Sequence, residues 1–278
     1  MITDSQTNHV FLSNKLLERK VFYNHLTEVL NESKVQFNIL PNTNDIWCVD
    51  YMPIQVDINK FIQFTYSPGY LQTKKWIHTQ TDPNVITNNL NIRTKNSYIK
   101  LDGGNVIKGN NWVILTEKVY TENKAIDKVS IINELEQLFG VRVIIIPKEP
   151  YEITGHADGI LRYYKDDTVL INDYPTDRLQ NFQNRLMNKL NKEGLKTIKV
   201  PNKSFANVNY DSATGLYINF LHMSNFILLP SFGIKEDEEV VRQFEQLYPS
   251  HTIRTIVSND ISKDGGVLNC ITWNIRVK

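Results

Sequence analysis

Residues 129–147 read VSIINELEQLFGVRVIIIP, and this stretch decides the fold of the chain. In its first half the apolar residues recur at the spacing of one helix face, which predicts an amphipathic helix. Its second half is a short apolar run rich in β-branched residues, which predicts a strand. The stretch therefore predicts a helix that leads directly into a strand.

The same helix-then-strand order returns elsewhere, as a pattern rather than as sequence identity. It is clear in three more places, and a weaker copy begins with Pro83, at a position where proline often starts a helix. The copies are LLERKVFYNHLTEVLNESK with VQFNIL, DPNVITNNLNI with NSYIKL, TDRLQNFQNRLMNKLNKEG with LKTIKVP, and EDEEVVRQFEQLYPS with HTIRTIV. Five units result, with predicted strands that begin near residues 35, 97, 141, 196 and 252.

Two α/β architectures fit these units. A doubly wound sheet is the commoner arrangement of alternating helices and strands. The five-fold count instead favours a closed ring of similar units, in which the residues just after the strands meet at a central axis. Further strands are predicted between the units in NWVILTEKV, DGILRYY, DTVLIND, GLYINFLHM and FILLPSF. No linker rich in proline, glycine or serine separates the units, so residues 1–278 are expected to form a single domain.

The composition is that of an ordinary globular protein, with 41% hydrophobic and 22% charged residues and a net charge of +1. It indicates neither nucleic acid nor an anionic membrane as a partner. No apolar run approaches the roughly 20 residues of a membrane span, and residues 1–20 lack the pattern of a signal peptide, so a cytoplasmic protein is expected. The two cysteines, Cys48 and Cys270, are expected to be reduced thiols.

Residues that can carry chemistry follow several of the predicted strands. Each has an ordinary structural explanation, because aspartates beside glycine or proline often form turns, and a single cysteine or tryptophan often belongs to the core. Turn formers need not fall at matching points of a repeat, however, so the joint pattern indicates a shared site. The candidates are Asp45, Trp47 and Asp50 after the first strand, Asp102 after the second, His156 and Asp158 after the third, and Cys270 after the last.

These residue types favour nucleophilic catalysis by a cysteine, assisted by a histidine and carboxylates. A metal site is disfavoured, because neither an HExxH-type nor a CxxC spacing accompanies the histidine and aspartates. A serine hydrolase is disfavoured as well, since the chain contains no G-x-S-x-G motif.

Five motifs, in their order along the chain, resemble the agmatine deiminase and Porphyromonas-type peptidylarginine deiminase family. They are NDIWCVDYMP, LDGGNV, GHADGILRYY, YINF followed by LLPSFG, and GGVLNCITW, and the resemblance extends over about residues 40–275. It implies a five-bladed α/β propeller, which agrees with the five units. It also implies that Cys270 is the nucleophile and His156 the general acid and base. Asp50 and Asp158 would be the carboxylates that hold the substrate guanidinium.

The same resemblance implies that three more residues bind substrate. Trp47 matches an aromatic residue that lines the guanidinium pocket, and Asn219 in YINF matches a further residue of the active site. Asp102 stands where agmatine deiminases usually carry glutamate before a Gly-Gly pair. Val49 replaces the arginine that commonly precedes the guanidinium-binding aspartate, here Asp50. How the rest of the substrate is recognised therefore stays open.

The implied reaction is hydrolysis of a small guanidinium compound without a cofactor. Agmatine is the leading substrate, giving N-carbamoylputrescine and ammonia through an S-amidino intermediate on Cys270. Two carboxylates can hold the planar cation by paired hydrogen bonds. Because the same carboxylates oppose formation of a thiolate in the empty site, substrate binding is expected to help activate the cysteine.

Other functions remain open on the residues alone. Peptidylarginine or free arginine would give citrulline, and a methylarginine hydrolase or an amidinotransferase would use the same cysteine and histidine. An inactive guanidine-binding protein is a further alternative. Lys74 and Lys75 are candidates to meet a substrate carboxylate, although lysines in loops are usually solvated. The sequence indicates no oligomeric state.

The surroundings of the two cysteines give three more expectations. Cys48, beside the Asp50 motif, is expected to be a buried structural thiol. Gly265 and Gly266 are expected to let the chain turn tightly before Cys270. The final stretch, ITWNIRVK, is expected to be the strand that closes the ring.

Overall fold

The computed structural model describes residues 1–174, 179–204 and 212–278. Its strands, in chain order, are β1 (His9–Ser13), β2 (Gln36–Leu40), β3 (Ile54–Asp57), β4 (Lys60–Thr65), β5 (Thr94–Lys100), β6 (Ile107–Lys108), β7 (Trp112–Thr116), β8 (Arg142–Ile146), β9 (Leu161–Lys165), β10 (Thr168–Asn172), β11 (Lys196–Val200), β12 (Leu221–Met223), β13 (Phe226–Ser231), β14 (Thr252–Val257) and β15 (Thr272–Ile275). Its α-helices are α1 (Lys20–Glu32), α2 (Cys48–Tyr51), α3 (Pro83–Asn89), α4 (Lys118–Glu122), α5 (Lys128–Phe139), α6 (Gln180–Lys192), α7 (Glu236–Leu247) and α8 (Asn259–Ser262).

The strands form five sheets of three, and each sheet repeats one arrangement. A central strand pairs antiparallel with one neighbour and parallel with the other. Each parallel pair is joined through a helix, since parallel neighbours require a crossover connection. The four sheets made of consecutive strands are β3-β4-β5, β6-β7-β8, β9-β10-β11 and β12-β13-β14. Five separate sheets confirm the five predicted units and rule out one doubly wound sheet.

The first sheet is built from both ends of the chain. Strand β1 pairs parallel with β2 and antiparallel with β15, with His9 opposite Ile275. Beside this pair, the Asn8 side-chain amide donates to the carbonyl of Val277 at 3.0 Å, and the Val277 N–H donates back to Asn8 at 2.8 Å. The predicted closing strand is therefore β15, and β1 is the strand it closes against.

The helices cover the sheets with the apolar faces that the sequence predicts. Buried phenylalanine and leucine side chains recur every four residues in two helices from different units, so each helix presents a single stripe to its sheet. These residues are Phe22, Leu26 and Leu30 in α1 and Phe182, Leu186 and Leu190 in α6. The predicted helical segment TDRLQNFQNRLMNKLNKEG contains α6. Its first three residues, 176–178, lie outside the described residues.

One predicted strand is largely wrong. The stretch GLYINFLHM is a strand only in its last three residues, as β12. Gly215 has φ of 89°, a left-handed conformation that favours glycine and turns the chain. The segment between Gly215 and β12 is instead held against the loop before Cys270, where the Asn269 N–H donates to the carbonyl of Asn219 at 3.1 Å. This departure from strand geometry brings Asn219 to the site described below.

A buried ion network ties the first residues to later units. Asp4 accepts a hydrogen bond from Arg162 and lies 2.9 Å from the Lys108 ammonium. The Arg162 side chain is 2% exposed and also donates to the carbonyl of Phe220 at 3.0 Å.

Among the described residues, no helix combines the length and apolar character needed to cross a membrane.

Candidate active site

The segments that follow the third strand of each sheet converge. Each carries at least one predicted site residue, and direct contacts link these residues across the five units, as expected for strand ends that meet at the middle of a ring. The residues are Asp50 after β2, Asp102 after β5, His156 and Asp158 after β8, Asn219 after β11 and Cys270 after β14.

The carboxylate of Asp158 organises the cysteine side of the site. Its Oδ2 atom accepts hydrogen bonds from the side-chain amides of Asn219 at 3.0 Å and Asn269 at 2.7 Å. The Cys270 thiol lies 3.5 Å from the same oxygen. Asn219 also accepts the Cys270 N–H at 3.3 Å, so this asparagine fixes both the carboxylate and the backbone of the cysteine.

The imidazole of His156 is held between two other carboxylates. Its Nε2 atom lies 2.8 Å from Oδ2 of Asp102, and its Nδ1 atom lies 3.4 Å from Oδ1 of Asp50. The Lys118 ammonium contacts Asp102 and lies 3.1 Å from Nε2 of His156. Asp102 therefore partners the histidine and a lysine in this structure, whereas the resemblance alone placed it among the substrate-binding residues.

Gly104 sits between the two sides of the site. Its N–H donates to Oδ1 of Asp50 and its carbonyl accepts the N–H of Asp158, both at 3.0 Å. A Cβ atom on Gly104 would lie 2.6 Å from Oδ1 of Asp50, 2.7 Å from Nδ1 of His156 and 3.4 Å from Oδ1 of Asp158. Acceptor oxygens from two carboxylates and a histidine nitrogen thus surround one point beside the Gly104 backbone.

Trp47 packs over the turn that precedes the cysteine. A Cβ atom on Gly266 would lie 2.5 Å from the Trp47 ring and 3.0 Å from Cβ of Cys270, so only glycine fits there without a shift. Gly265 has φ of 95° and makes the turn itself. The N–H of Trp47 is bonded to the Asp45 carboxylate at 2.9 Å, which fixes the start of α2.

The charges around Cys270 disfavour the thiolate. Burial, together with the carboxylates of Asp158 and Asp50, raises the pKa of the Cys270 thiol well above its usual range. Burial also raises the pKa of Asp50 to about 7, against the opposing effect of His156. A cation bound between these carboxylates would lower the pKa of both groups.

The histidine side is balanced differently. Burial alone would lower the pKa of His156, but Asp50 and Asp102 outweigh burial and the Lys118 charge, so the pKa is raised. Burial would raise the pKa of Asp102, but Lys118 and His156 outweigh it and lower that pKa. Asp102 therefore remains an anion beside the imidazole, which favours the protonated form of His156.

The other cysteine and the two candidate lysines lie apart from this cluster. Cys48 has no exposed surface, and burial raises the pKa of its thiol to about 12, as expected for a structural core residue. Both cysteines are free thiols. Lys74 and Lys75 are exposed, and the Lys75 ammonium lies 4.4 Å from the centre of the Trp76 ring.

Three residues of the cluster are missing from the sequence prediction. Asn269 directly precedes Cys270 in the motif GGVLNCITW, so the motif could have indicated that Asn269 lies at the site. Lys118 lies in NWVILTEKV, a stretch whose pattern predicts a strand. Nothing in that pattern indicates that the lysine side chain is buried. The Tyr70 ring lies under the Lys118 ammonium at 4.9 Å and meets the His156 ring at 6.2 Å.

Among the residues that the structure describes, neither a metal-binding group nor the cavity beside β4 involves the candidate residues. Among the described ranges, no group of three or more histidine, cysteine or acidic side chains is arranged to hold a metal ion. A cavity of about 560 Å³ lies beside β4 and the start of α3. Gln63, Tyr66 and Asp82 help to line it, and none of the predicted site residues does. The site is therefore assigned from its chemistry rather than from cavity size.

Comparison with known proteins gives a family match over nearly the whole chain. The model of the Porphyromonas-type peptidyl-arginine deiminase family matches residues 2–275. A provisionally named agmatine deiminase of Mycoplasma capricolum subsp. capricolum is 29% identical over 62% of this chain and 56% of its own length. An agmatine deiminase of Pseudomonas fluorescens is 26% identical over the same shares of the two chains. The chain thus spans a little over half the length of these relatives.

A solved structure has the same fold. An agmatine deiminase of C. jejuni superposes with a TM-score of 0.80 at 19% identity, over 100% of this chain and 95% of that one. At this identity the likeness concerns the fold, and it confirms the five-bladed α/β propeller.

Proposed function

The chain belongs to the Porphyromonas-type peptidyl-arginine deiminase family, and from that premise we propose that it is a guanidine deiminase whose substrate is agmatine. One observation carries the proposal. Asp50, Asp158 and His156 all approach the Gly104 backbone, where an added Cβ atom would lie within 3.4 Å of each, and Asp158 in turn lies 3.5 Å from the Cys270 thiol. A planar cation bound next to these side chains meets two carboxylates, a nucleophile and a proton donor together.

The carboxylates bind the guanidinium and align its central carbon. Oδ1 of Asp50 and Oδ1 of Asp158 accept hydrogen bonds from its N–H groups, and Trp47 covers the site from the side of Gly266. A guanidinium is delocalised and reacts poorly, so fixing it against the nucleophile supplies much of the rate enhancement. The bound cation also favours ionisation of Cys270, whose proton passes to solvent before the attack.

The first half of the reaction forms a covalent intermediate. The Cys270 thiolate attacks the guanidinium carbon, and a C–S bond forms as the C=N π-electron pair moves to nitrogen. His156 then delivers a proton to the departing nitrogen, the C–N bond breaks, and ammonia leaves. The remaining group is an amidino carbon bonded to sulfur.

The second half returns the enzyme to its starting state. The neutral imidazole of His156 takes a proton from water, which attacks the amidino carbon. The C–S bond breaks and its electron pair returns to the sulfur of Cys270, which takes the proton of the added hydroxyl group as the C=O bond of the ureido product, N-carbamoylputrescine, forms. Atoms and electrons balance with water as the only co-reactant.

Two observations support agmatine over arginine as the substrate. The relatives reported above are named as agmatine deiminases. Lys74 and Lys75, the lysines considered for a substrate carboxylate, are exposed. Peptidyl-arginine or arginine, giving citrulline, is the second candidate because the family's description names that substrate.

The two free thiols support a cytoplasmic setting, since a reducing compartment keeps them free.

Ammonia release from a panel of guanidines tests the proposal. Agmatine, arginine, a peptidyl-arginine and methylarginines are compared, and the ureido product is identified by mass. We expect agmatine to be turned over, Cys270→Ala to lose activity, and Cys48→Ala to keep it, since Cys48 is a buried core thiol outside the cluster. Ammonia release by Cys270→Ala at the rate of the unmodified protein would contradict the mechanism. Guanidine binding without turnover would make the chain a binding protein.

A further inference from the structure

We propose that Lys118 is a positioning residue that sets the protonation of His156 through Asp102. The inference rests on the deiminase function proposed above and adds to it how one histidine serves first as acid and then as base. Lys118 is the first residue of α4, directly after the turn that follows β7. Its side chain is 8% exposed, so the ammonium has left water for this contact.

The geometry makes Lys118 and His156 compete for one oxygen. The lysine ammonium contacts Oδ2 of Asp102, and Nε2 of His156 lies 2.8 Å from that same Oδ2. The ammonium is also 3.1 Å from Nε2 itself. A proton on Nε2 therefore shares its acceptor with a positive charge at hydrogen-bond distance.

Hydrogen bonds to the backbone fix the segments of Lys118 and His156 relative to each other. The N–H of Lys118 donates to the Thr116 hydroxyl at 3.2 Å, and that hydroxyl donates to the carbonyl of Gly155 at 2.6 Å. Gly155 directly precedes His156. The lysine and the histidine thus reach Asp102 from two segments that one buried threonine joins.

The consequence concerns the second half of the reaction. A carboxylate paired with histidine alone favours imidazolium, which suits protonation of the leaving amine but hinders activation of water. The Lys118 charge weakens this preference, so that His156, neutral after it has given its proton to the leaving ammonia, stays neutral until it takes a proton from water. Asp50 from α2 also raises the pKa of the imidazole. The other titratable groups near it are Tyr70 from the 3₁₀-helix Gly69–Leu71, whose ring contacts the imidazole, Glu152, whose carboxylate accepts the His156 N–H, and, farther on, Asp158 and Cys270.

The test is an NMR titration of His156 in Lys118→Met, with Lys108→Met as the matched control. Lys108 is also a largely buried lysine paired with an aspartate, but its partner is Asp4. We expect the pKa of His156 to move to higher pH in Lys118→Met and to stay unchanged in Lys108→Met. The rate of the second half of the reaction at neutral pH, measured on preformed intermediate, should fall about tenfold, and more at lower pH.

A second background separates this role from a structural one. In Asp102→Asn the shared anion is absent, so adding Lys118→Met should shift the pKa of His156 by less than it does alone. An unchanged His156 pKa in folded Lys118→Met, or an equal shift in both backgrounds, would overturn the inference. The titration needs no substrate, so it decides the role of Lys118 even if no guanidine in the panel is turned over. Turnover with an unmoved pKa would overturn the role of Lys118 and leave the proposed reaction standing.

Discussion

In the proposed mechanism Cys270 is the nucleophile, and the structure holds its thiol in place but favours the uncharged form. Three hydrogen-bonded groups fix its backbone and the adjacent Asp158 carboxylate, while burial and two carboxylates keep the thiol protonated. Under the proposed mechanism, reactivity depends on a positive charge that the substrate brings. Neutral electrophiles and oxidants, which react with the thiolate, are then expected to attack Cys270 slowly.

Alkylation kinetics test this dependence on charge. Iodoacetamide is neutral, whereas chloroacetamidine carries an amidinium that Asp50 and Asp158 can bind. We expect slow alkylation of Cys270 by iodoacetamide at pH 7 and fast alkylation by chloroacetamidine, with each rate divided by that of free cysteine. Cys48, buried and with a pKa raised to about 12, should stay unlabelled by either reagent. Equal normalised rates for the two reagents would show that the cation does not activate the thiol.

Asp45 offers a stability test with a definite pH sign. Burial raises its pKa from 3.8 to about 7, against the hydrogen bond from the Trp47 N–H. The folded protein thus binds this proton more tightly than the unfolded chain, and stability falls as pH rises from about 4 through 7. Asp45→Asn removes the charge and keeps an oxygen for Trp47. We expect it to raise the free energy of unfolding in urea by about 1 to 2 kcal/mol at pH 8, and by less at pH 5.

The exposed Asp57 provides the control for that substitution. Its carboxylate accepts the Ile58 N–H at 2.8 Å, and the pKa is lowered by that hydrogen bond rather than raised. Asp57→Asn should therefore give no gain at pH 8. A gain for Asp45→Asn that is the same at pH 5 and pH 8 would exclude the buried charge as its cause.

At the scale of elements, the turn after β5 is the tightest part of the site. Its Gly103 and Gly104 pass so close to α2 and the His156 loop that side chains are excluded. A Cβ on Gly103 would lie 1.8 Å from the carbonyl oxygen of Val49. The Gly-Gly pair therefore sets the distance between the β5 turn and α2, and with it the distance between Asp50 and His156.

Gly104→Ala tests that spacing. The new methyl group would collide with Asp50 and His156, so we expect deiminase activity to fall by at least about a hundredfold. The matched control is Gly140→Ala at the end of α5, where φ is 71° and no atom lies within 4 Å of the added Cβ. That control should cost about 1 kcal/mol of stability through strain and leave turnover unchanged. Activity in Gly104→Ala close to that of the control would show that the site tolerates wider spacing.

The sequence predicted the elements whose signal is local. The five helix-then-strand units appear where their periodicity places them, and the largest shift is at β5, which begins at Thr94 rather than near residue 97. Strands β1, β3, β4 and β6 were not predicted. HVFLS is buried nearly throughout and shows no alternation, and its antiparallel partner lies about 260 residues away, so no local pattern marks it.

The candidate site divides in the same way. Cys270, His156, Asp50 and Asp158 stand in recognisable motifs, so the sequence could bring them together. Lys118 could not be found this way, because its role comes from a turn after β7 that aims it at Asp102 from another unit. A lysine that follows an apolar strand normally has its side chain exposed to solvent. Only the three-dimensional arrangement distinguishes the buried exception.

At the scale of the whole molecule, the Asp4 network holds the first residues against units that follow much later. Burial would raise the pKa of Asp4, but Lys108 and Arg162 outweigh it and hold the pKa below 3.8. The stabilisation is therefore complete above about pH 4 and is lost as pH falls further. The contact also leaves Arg162, 2% exposed, dependent on one carboxylate.

Asp4→Asn should consequently destabilise the entire ring. Removing the carboxylate leaves a buried guanidinium without its counter-charge, at a cost of about 3 kcal/mol in the free energy of unfolding near neutral pH. Asp173→Asn breaks an exposed pair with Lys199 and serves as the control, with an expected change below about 1 kcal/mol. Urea unfolding followed by tryptophan fluorescence measures both. Equal losses for the two variants would mean that the Asp4 contact is no stronger than a surface pair.

The pairing of β1 with β15 leaves the choice of the unit at which the chain starts largely arbitrary, while the order of the units around the ring stays fixed. A short peptide linking the residues after β15 to those before β1 would bridge strands that already lie side by side, and the chain could be reopened at the exposed Asp166–Asp167 hairpin turn between β9 and β10. Such a circular permutant would keep the five sheets and carry Cys270 in mid-chain. The propeller would then tolerate new termini at several hairpins, each a place to fuse or split the protein without disturbing its centre.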